Sequence, residues 1–184
     1  MAKPIGLQCA RCGTRYPTRH YAEDCPACRP TVRSNLSVVY DDSFAKRRER
    51  PGPQSSRGLW RYGDVMPVAE ANAATLGEGL SPLHRLGRLG PSLGLGNLFG
   101  KDETRNPTWS FKDRLGSGAL TMAKKFGARV VCSSSSGNAG AAAAAFAAKA
   151  GLPCVVFAVK TSAGPLIQQM RAYGTMLEIG RAHV

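Results

Sequence analysis

Lys112 lies in the run Asn106-Pro107-Thr108-Trp109-Ser110-Phe111-Lys112-Asp113-Arg114. This run joins a predicted strand, Leu98 to Glu103, to a predicted helix from about Ser110 to Phe126. Lys112 then falls in the first helical turn, where backbone N–H groups lack intrahelical partners. The positive end of a helix disfavours an ammonium ion. A lysine so placed has a motive to present the neutral amine, the form that condenses with an aldehyde. The same residues also describe a solvated lysine beside Asp113 and Arg114.

Two further stretches carry chemistry. Ser134-Ser135-Ser136-Gly137-Asn138-Ala139-Gly140 follows a predicted buried strand, Ala128 to Ser133, and opens an alanine-rich helix ending near Ala150. A serine- and glycine-rich turn at a helix start presents hydroxyls and free N–H groups to an anion. Alone, it is equally an ordinary polar turn with Asn138 as a helix cap. At the other end of the chain, Cys9-Ala10-Arg11-Cys12 and Cys25-Pro26-Ala27-Cys28 form two knuckles separated by twelve residues. Each aims two thiols at one point, and four thiolates complete a tetrahedral Zn²⁺ or iron site. Gly13 follows the first pair, where the turn wants a positive φ. Two disulfides or free thiols are the alternatives, and a reducing compartment argues against the disulfides. His20, between the knuckles, is read as a surface residue.

The elements that must position these residues read as α/β. Asn35 to Tyr40 is a short strand closing the cysteine module, residues 1–40. Residues 41–58 are polar and charged, a connector with a helical stretch predicted over Asp42 to Glu49. Gly77 to Leu83 is a turn before a strand that carries His84, and Gly87 to Gly96 is read as a loop. After the Lys112 helix come a strand at Leu152 to Val159, a helix at Ala163 to Tyr173 and a strand at Thr175 to Ile179. This alternation predicts βαβ units and a parallel sheet. Ligands of such sheets lie beyond the carboxyl ends of the strands. The loops after Glu103 and after Ser133 are both expected at that edge, which would bring Lys112 and Asn138 to one site.

Composition narrows the function classes. The net charge is +13, from 25 Lys and Arg against 12 Asp and Glu. A basic chain suggests nucleic acid or anionic substrates, but a solvated surface with a bias toward arginine accounts for the charge as well and is the favoured reading. No aromatic residues interleave the knot Lys46-Arg47-Arg48-Glu49-Arg50, which argues against single-strand binding. The apolar run Ala139 to Ala148 is too short to span a bilayer. No secretory signal is visible, and the expectation is a cytoplasmic protein with no membrane partner.

Together these motifs resemble the pyridoxal-phosphate enzymes of fold type II, the tryptophan synthase β type, and within them the threonine synthase branch. The matching residues are Lys101-Asp102-Glu103, Asn106 to Arg114, and Ser135-Ser136-Gly137-Asn138 in that order. Glu78-Gly79-Leu80-Ser81-Pro82-Leu83 matches the family's Glu-Gly-x-Thr-Pro-Leu with serine for threonine. Leu59-Trp60-Arg61-Tyr62 resembles its entry segment, and some members carry an N-terminal cysteine ribbon. The resemblance implies that Lys112 holds pyridoxal phosphate as a Schiff base and serves as acid and base. It implies that Phe111 packs beside the ring and Asn138 bonds its hydroxyl oxygen. Ser135, Ser136, Gly137 and Asn138 would bind the substrate, with the first three on its carboxylate. Cys9, Cys12, Cys25 and Cys28 would hold structural Zn²⁺ in a zinc-ribbon-like module. The expected substrate is an amino acid, O-phosphohomoserine in threonine synthases. Trp109 stands where the family usually has glycine, so dehydratase, ammonia-lyase and cysteate synthase chemistry stay open. On this reading residues 59–184 are the N-terminal part of a catalytic domain that forms a homodimer when full-length. The phosphate-gripping glycine loop belongs to a C-terminal half not seen here. A zinc-ribbon protein that binds nucleic acid is the alternative of another class.

Overall fold

The computed structural model describes residues 4–21, 23–41, 58–68 and 70–180. Nearly all of the 41–58 connector, including the predicted helix, lies outside the described residues. The chain divides into two compact units: Met1–Gln54 with Arg61–Ala69, and Ser55–Trp60 with Glu70–Val184.

In the first unit, β1 (Pro4–Cys9) is the central strand, antiparallel to both β2 (Arg15–Tyr16) and β3 (Leu36–Tyr40). Gly13 has φ +74°, as the knuckle turn requires. Cys9, Cys25 and Cys28 are buried and pack with Tyr16 and Leu36. Thiols thus take the place that aliphatic side chains hold in a larger core.

The second unit begins with a hairpin. β4 (Leu83–Arg85) and β5 (Phe99–Lys101) pair antiparallel, with Leu83 opposite Lys101 and Arg85 opposite Phe99. This corrects the expectation that the Leu98–Glu103 strand joins the parallel sheet. The Leu86 N–H donates to Leu98 O and the Asp102 N–H to Pro82 O, so the pairing is extended at both ends. A preference for extended backbone does not choose the partner strand; these neighbours do. Within the predicted loop at 87–96, Leu89–Ser92 forms one helical turn, α1.

Next come α2 (Lys112–Lys125), β6 (Val131–Ser134), α3 (Asn138–Ala150), β7 (Cys154–Val159), α4 (Gly164–Ala172) and β8 (Met176–Gly180). The three strands are parallel in the order β6-β7-β8. One sheet face is covered by helices. Cys154, Val156 and Ala158 of β7 are buried against alanines of α3 and against Ile167 and Met170 of α4. On the other face Phe157 and Met176 are exposed.

The alanine content of α3 explains how closely α2 seats on it. Ala141, Ala142, Ala144, Ala145 and Ala147 are all buried, with Phe146 among them as the one large side chain. A Cβ at Gly116 of α2 would stand 2.7 Å from the Phe146 ring, and one at Gly140 of α3 would stand 2.8 Å from Met170 Sδ. Only hydrogen fits at either position.

Candidate functional site

Lys112 is the first residue of α2, half-buried, and the chain leading to it is folded into a closed loop. At the base of the loop the fully buried Asp113 accepts from Thr108, from its N–H at 2.6 Å and from its hydroxyl. The Ser110 hydroxyl accepts the Lys112 N–H at 3.2 Å and Ser110 O accepts the Asp113 N–H, also at 3.2 Å. These bonds satisfy N–H groups that a helix start leaves open. They also place a carboxylate in the first turn, where the dipole favours it. Burial pushes the Asp113 carboxyl up, against the pull of the Thr108 bonds.

A second layer fixes this loop to the hairpin. Glu103 receives both arms of Arg114, Nε and one terminal nitrogen each at 2.8 Å. It also accepts from the Ser81 hydroxyl at 2.6 Å and the Asn106 amide at 2.8 Å. Arg114 and these hydrogen bonds hold the Glu103 carboxyl far below its usual range, at about 2. Asn106 Oδ1 accepts the Gly79 N–H at 2.9 Å, and Lys101 Nζ donates to Ser81 O at 2.8 Å. Below them lies Glu78, fully buried, which accepts from Trp60 Nε1 at 3.1 Å and from Leu76 N–H at 3.0 Å. The motif residues around Lys112 therefore form a scaffold with the lysine on its outer side. Lys112 Nζ sits 4.6 Å from the Phe111 ring centroid. Among the described residues no side chain or carbonyl accepts a hydrogen bond from it.

Two residues of this scaffold have an unusual backbone. Trp109 has φ +62° and Leu80 φ +49°, the left-handed region that favours glycine. Each costs about 1–2 kcal/mol relative to a right-handed conformation. The Trp109 N–H donates to Asn106 O at 2.8 Å, which holds it in place. Both side chains face solvent, Trp109 at 70% exposure and Leu80 at 58%.

At the start of α3 the N-cap position is Gly137, and the side chain that bonds N–H groups there is Ser135, not Asn138. Ser135 Oγ accepts the N–H of Gly137 at 3.3 Å and of Gly140 at 2.9 Å. Asn138 is the first helical residue and its side chain is exposed. The backbone N–H groups of Asn138 and Ala139 have no acceptor among the described residues. Ser136 is exposed, and Gly137 and Ser135 are half-buried. Lys112 and Asn138 thus begin two helices that pack on each other through Gly116 and Phe146. No hydrogen bond joins them among the described residues, and they do not share one sheet edge, because β5 is not part of the β6-β7-β8 sheet.

In the first unit the four cysteine sulfurs lie within 4.8 Å of one another. Cys9 Sγ is 3.8 Å from Cys28 Sγ, and Cys12 Sγ is 3.7 Å from Cys25 Sγ. None forms a disulfide. With metal–sulfur bonds of about 2.3 Å, the edge of a tetrahedron is about 3.8 Å. The donor set therefore fits a tetrahedral ion. The Ser34 hydroxyl, 3.3 Å away, and the N–H groups of Cys12 and Arg11 bring the Cys9 thiol down to about 6. The neighbouring Cys12 drives Cys28 up, to about 12.

The sequence singled out Lys112, Phe111, the Ser135–Asn138 turn and the four cysteines. It missed the work of Glu78, Asn106, Thr108 and Asp113. Buried polar side chains in short motifs were the available signal, since such groups persist inside a protein only when hydrogen-bonded.

This arrangement defines a class. A family model for pyridoxal-phosphate dependent enzymes matches residues 74–181, and the chain belongs to that family. Within it, threonine synthase of Methanosarcina acetivorans is 34% identical over 175 residues, covering 94% of this chain and 42% of that protein. Threonine synthase of Halalkalibacterium halodurans is 42% identical over 127 residues, 67% of this chain and 36% of that protein. Among solved structures, O-ureido-L-serine synthase matches with a TM-score of 0.51 and 31% identity, covering 56% of this chain and 33% of that one. Maize serine racemase shares the fold, with a TM-score of 0.52 over 56% of this chain and 32% of that one. The chain spans about two-fifths of the length of the threonine synthases it matches over most of its own length.

Proposed function

We propose that this chain is the lysine-bearing part of a threonine synthase-like enzyme, acting on a small amino acid, phosphorylated in the manner of O-phosphohomoserine. The observation that carries the proposal is Lys112: an amine without a hydrogen-bond acceptor among the described residues, on a loop closed by Thr108 and Asp113, in a chain of this family. Pyridoxal phosphate, when bound, supplies an electron sink for charge developing on the substrate's α carbon. Lys112 Nζ would hold the cofactor, and its amine would carry protons at the substrate's α and β carbons. Phe111 would pack beside the cofactor. Asn138 would offer its side-chain amide to the cofactor, a role left available because Ser135 already bonds N–H groups at the start of α3. The N–H groups of Asn138 and Ala139, with Ser136 and Gly137, suit the substrate carboxylate at a helix start. Ser135 acts there by shaping the turn, because its hydroxyl is engaged by two backbone N–H groups.

The cysteine cluster has a separate task in this reading. Cys9, Cys12, Cys25 and Cys28 hold a structural Zn²⁺, supported by their tetrahedral spacing and by Cys9 thiolate character. The first unit is then a zinc-ribbon-like module whose folding energy comes from the metal.

The test is absorbance of the purified chain with pyridoxal phosphate, followed by borohydride reduction and peptide mapping. Modification centred on Lys112, and lost in Lys112→Ala, is the expected result. Equal modification of both proteins would remove Lys112 from this role.

A further inference from the structure

The two cysteine knuckles have the same spacing but different hydrogen bonds. In the first, the N–H groups of Arg11 and Cys12, two and three residues after Cys9, donate to Cys9 Sγ at 3.3 and 3.4 Å. In the second, the N–H groups at the same two steps after Cys25 go elsewhere. Cys28 N–H donates to Cys25 O at 3.2 Å, and Ala27 N–H donates to the Tyr16 hydroxyl oxygen at 3.3 Å. That hydroxyl stands 3.1 Å from Cys25 Sγ. A side chain of β2 is thus inserted between the backbone of the second knuckle and its first sulfur.

The arrangement sets which way each hydrogen points. The Ala27 N–H occupies one lone pair of the phenol oxygen. A thiolate has no hydrogen to give, so in a metal-loaded site the Tyr16 O–H donates to Cys25 Sγ. Cys25 is fully buried, and water cannot take over this bond. The first knuckle is better provided. Cys9 has its two N–H donors and the Ser34 hydroxyl at 3.3 Å, and the exposed Cys12 has the Thr14 hydroxyl at 3.2 Å. Four thiolates round a divalent ion leave an excess of negative charge, and each donated hydrogen bond draws some of it off a sulfur. The Tyr16 ring also packs on the cysteines, a contact that phenylalanine would keep.

We infer that Tyr16 is a positioning residue of the metal site: its hydroxyl takes the Ala27 N–H and passes a hydrogen bond on to the buried Cys25 thiolate, as backbone N–H groups do directly for Cys9. This rests on the metal site proposed above for the four cysteines. Groups that hydrogen-bond a metal's ligands orient them and set how tightly the ion is held. A sulfur that loses its donor becomes richer in electrons and gives charge to the metal at lower photon energy. The lost bond therefore has an optical signature that a mere loss of packing lacks.

The experiment uses the whole chain with cobalt(II), which takes a tetrahedral thiolate site and, unlike zinc, absorbs light. The sulfur-to-cobalt charge-transfer band, and the affinity by competition with a chelator, are read for the unaltered chain, Tyr16→Phe and Tyr21→Phe. Tyr21 meets Tyr16 edge-on with ring centroids 5.5 Å apart, and its hydroxyl has no hydrogen-bond partner among the described residues. Tyr16→Phe should bind cobalt about 10- to 100-fold more weakly and move the band to longer wavelength. Tyr21→Phe should change neither. A band left in place in Tyr16→Phe, with affinity weakened or not, would make Tyr16 a packing residue and overturn the inference, as would equal shifts in both variants. Should Tyr16→Phe take no cobalt, the unaltered chain decides. Loaded with cadmium-113, it should show scalar coupling between the metal and the Tyr16 hydroxyl proton through the Cys25 sulfur. Absence of that coupling, with coupling to the Arg11 amide proton present, overturns the inference. If the unaltered chain shows no thiolate band at all, the metal reading of the cysteines fails and the inference falls with it.

Discussion

Gly116→Ala tests the seat of the lysine-bearing helix. Alanine is favoured over glycine inside a helix by about 1 kcal/mol, so on propensity alone the change should stabilise. The structure reverses that sign. The new methyl would stand 2.7 Å from Phe146 Cδ2 and 3.3 Å from Cε2 and Cγ. Ordinary carbon–carbon contact is about 3.5–4.0 Å, so α2 or the ring must retreat by nearly an ångström. Phe146 is fully buried among alanines and cannot swing into solvent. Overpacking of this kind costs about 1–3 kcal/mol, and the overlap here lies toward the upper end. The net expectation is a loss of about 1–2 kcal/mol, a fall in Tm of roughly 4–10 °C for a unit of this size. Thermal melts followed by circular dichroism give the first reading. A double-mutant cycle with Phe146→Leu gives the second: the smaller side chain should absorb the methyl, with a coupling of about 1 kcal/mol or more. Modification of Lys112 by pyridoxal phosphate should weaken in Gly116→Ala and return in the double variant. A higher Tm for Gly116→Ala, or simple additivity in the cycle, would refute the close seating of α2 on α3.

Glu103→Gln removes the charge that orients Arg114. A bidentate pair with the Glu103 side chain only 25% exposed should contribute about 1–3 kcal/mol, between the values for surface and buried pairs. The folded-state carboxyl is depressed to about 2, so its contribution is present above the unfolded value near 4.5 and is lost as pH falls toward 2. Denaturant titrations from pH 6 to pH 2.5 should show a loss on acidification that is smaller in Glu103→Gln; identical pH profiles would count against the pair. For the cysteine cluster, elemental analysis should find one zinc or iron per chain. A strong chelator should collapse the β1-β2-β3 unit, read as lost dispersion of its amide resonances, and leave the α2–β8 unit intact. A chain with no metal and an unaffected first unit would exclude the metal site.

Much of the second unit was legible from sequence because its signals are local. The parallel strands β6, β7 and β8 are short apolar runs separated by helical patterns. Their helices end at Gly127, Gly151 and Gly174, each with positive φ. Lys112 was placed in the first turn of α2 from the motif alone, and the cysteines converge as their spacing required. What could not be read was pairing at a distance. The Leu98–Glu103 run has the same extended character whether it joins the parallel sheet or folds back on Leu83–Arg85. Only the contacts of Leu86, Leu98, Pro82 and Asp102 decide. The start of α3 was left open for a related reason: Ser135 and Asn138 are both good capping residues, and the sequence alone allowed Asn138 to be either a cap or a ligand-binding residue. The choice was made by backbone geometry, with Gly137 at φ −145° and ψ −149°.

The bonds that hold Lys112 have an implication for the order in which the chain acquires structure. Thr108 to Asp113 closes over five residues, Ser81 to Glu103 over 22, Gly79 to Asn106 over 27 and Ser81 to Arg114 over 33. Every partner precedes or adjoins the first turn of α2. Loop-closure entropy grows only slowly over such lengths, and interactions of short sequence separation form early. During synthesis, the cradle of the lysine can therefore assemble before β6, β7 and β8 leave the ribosome. What the later strands and α3 then add is the surface against which α2 comes to rest.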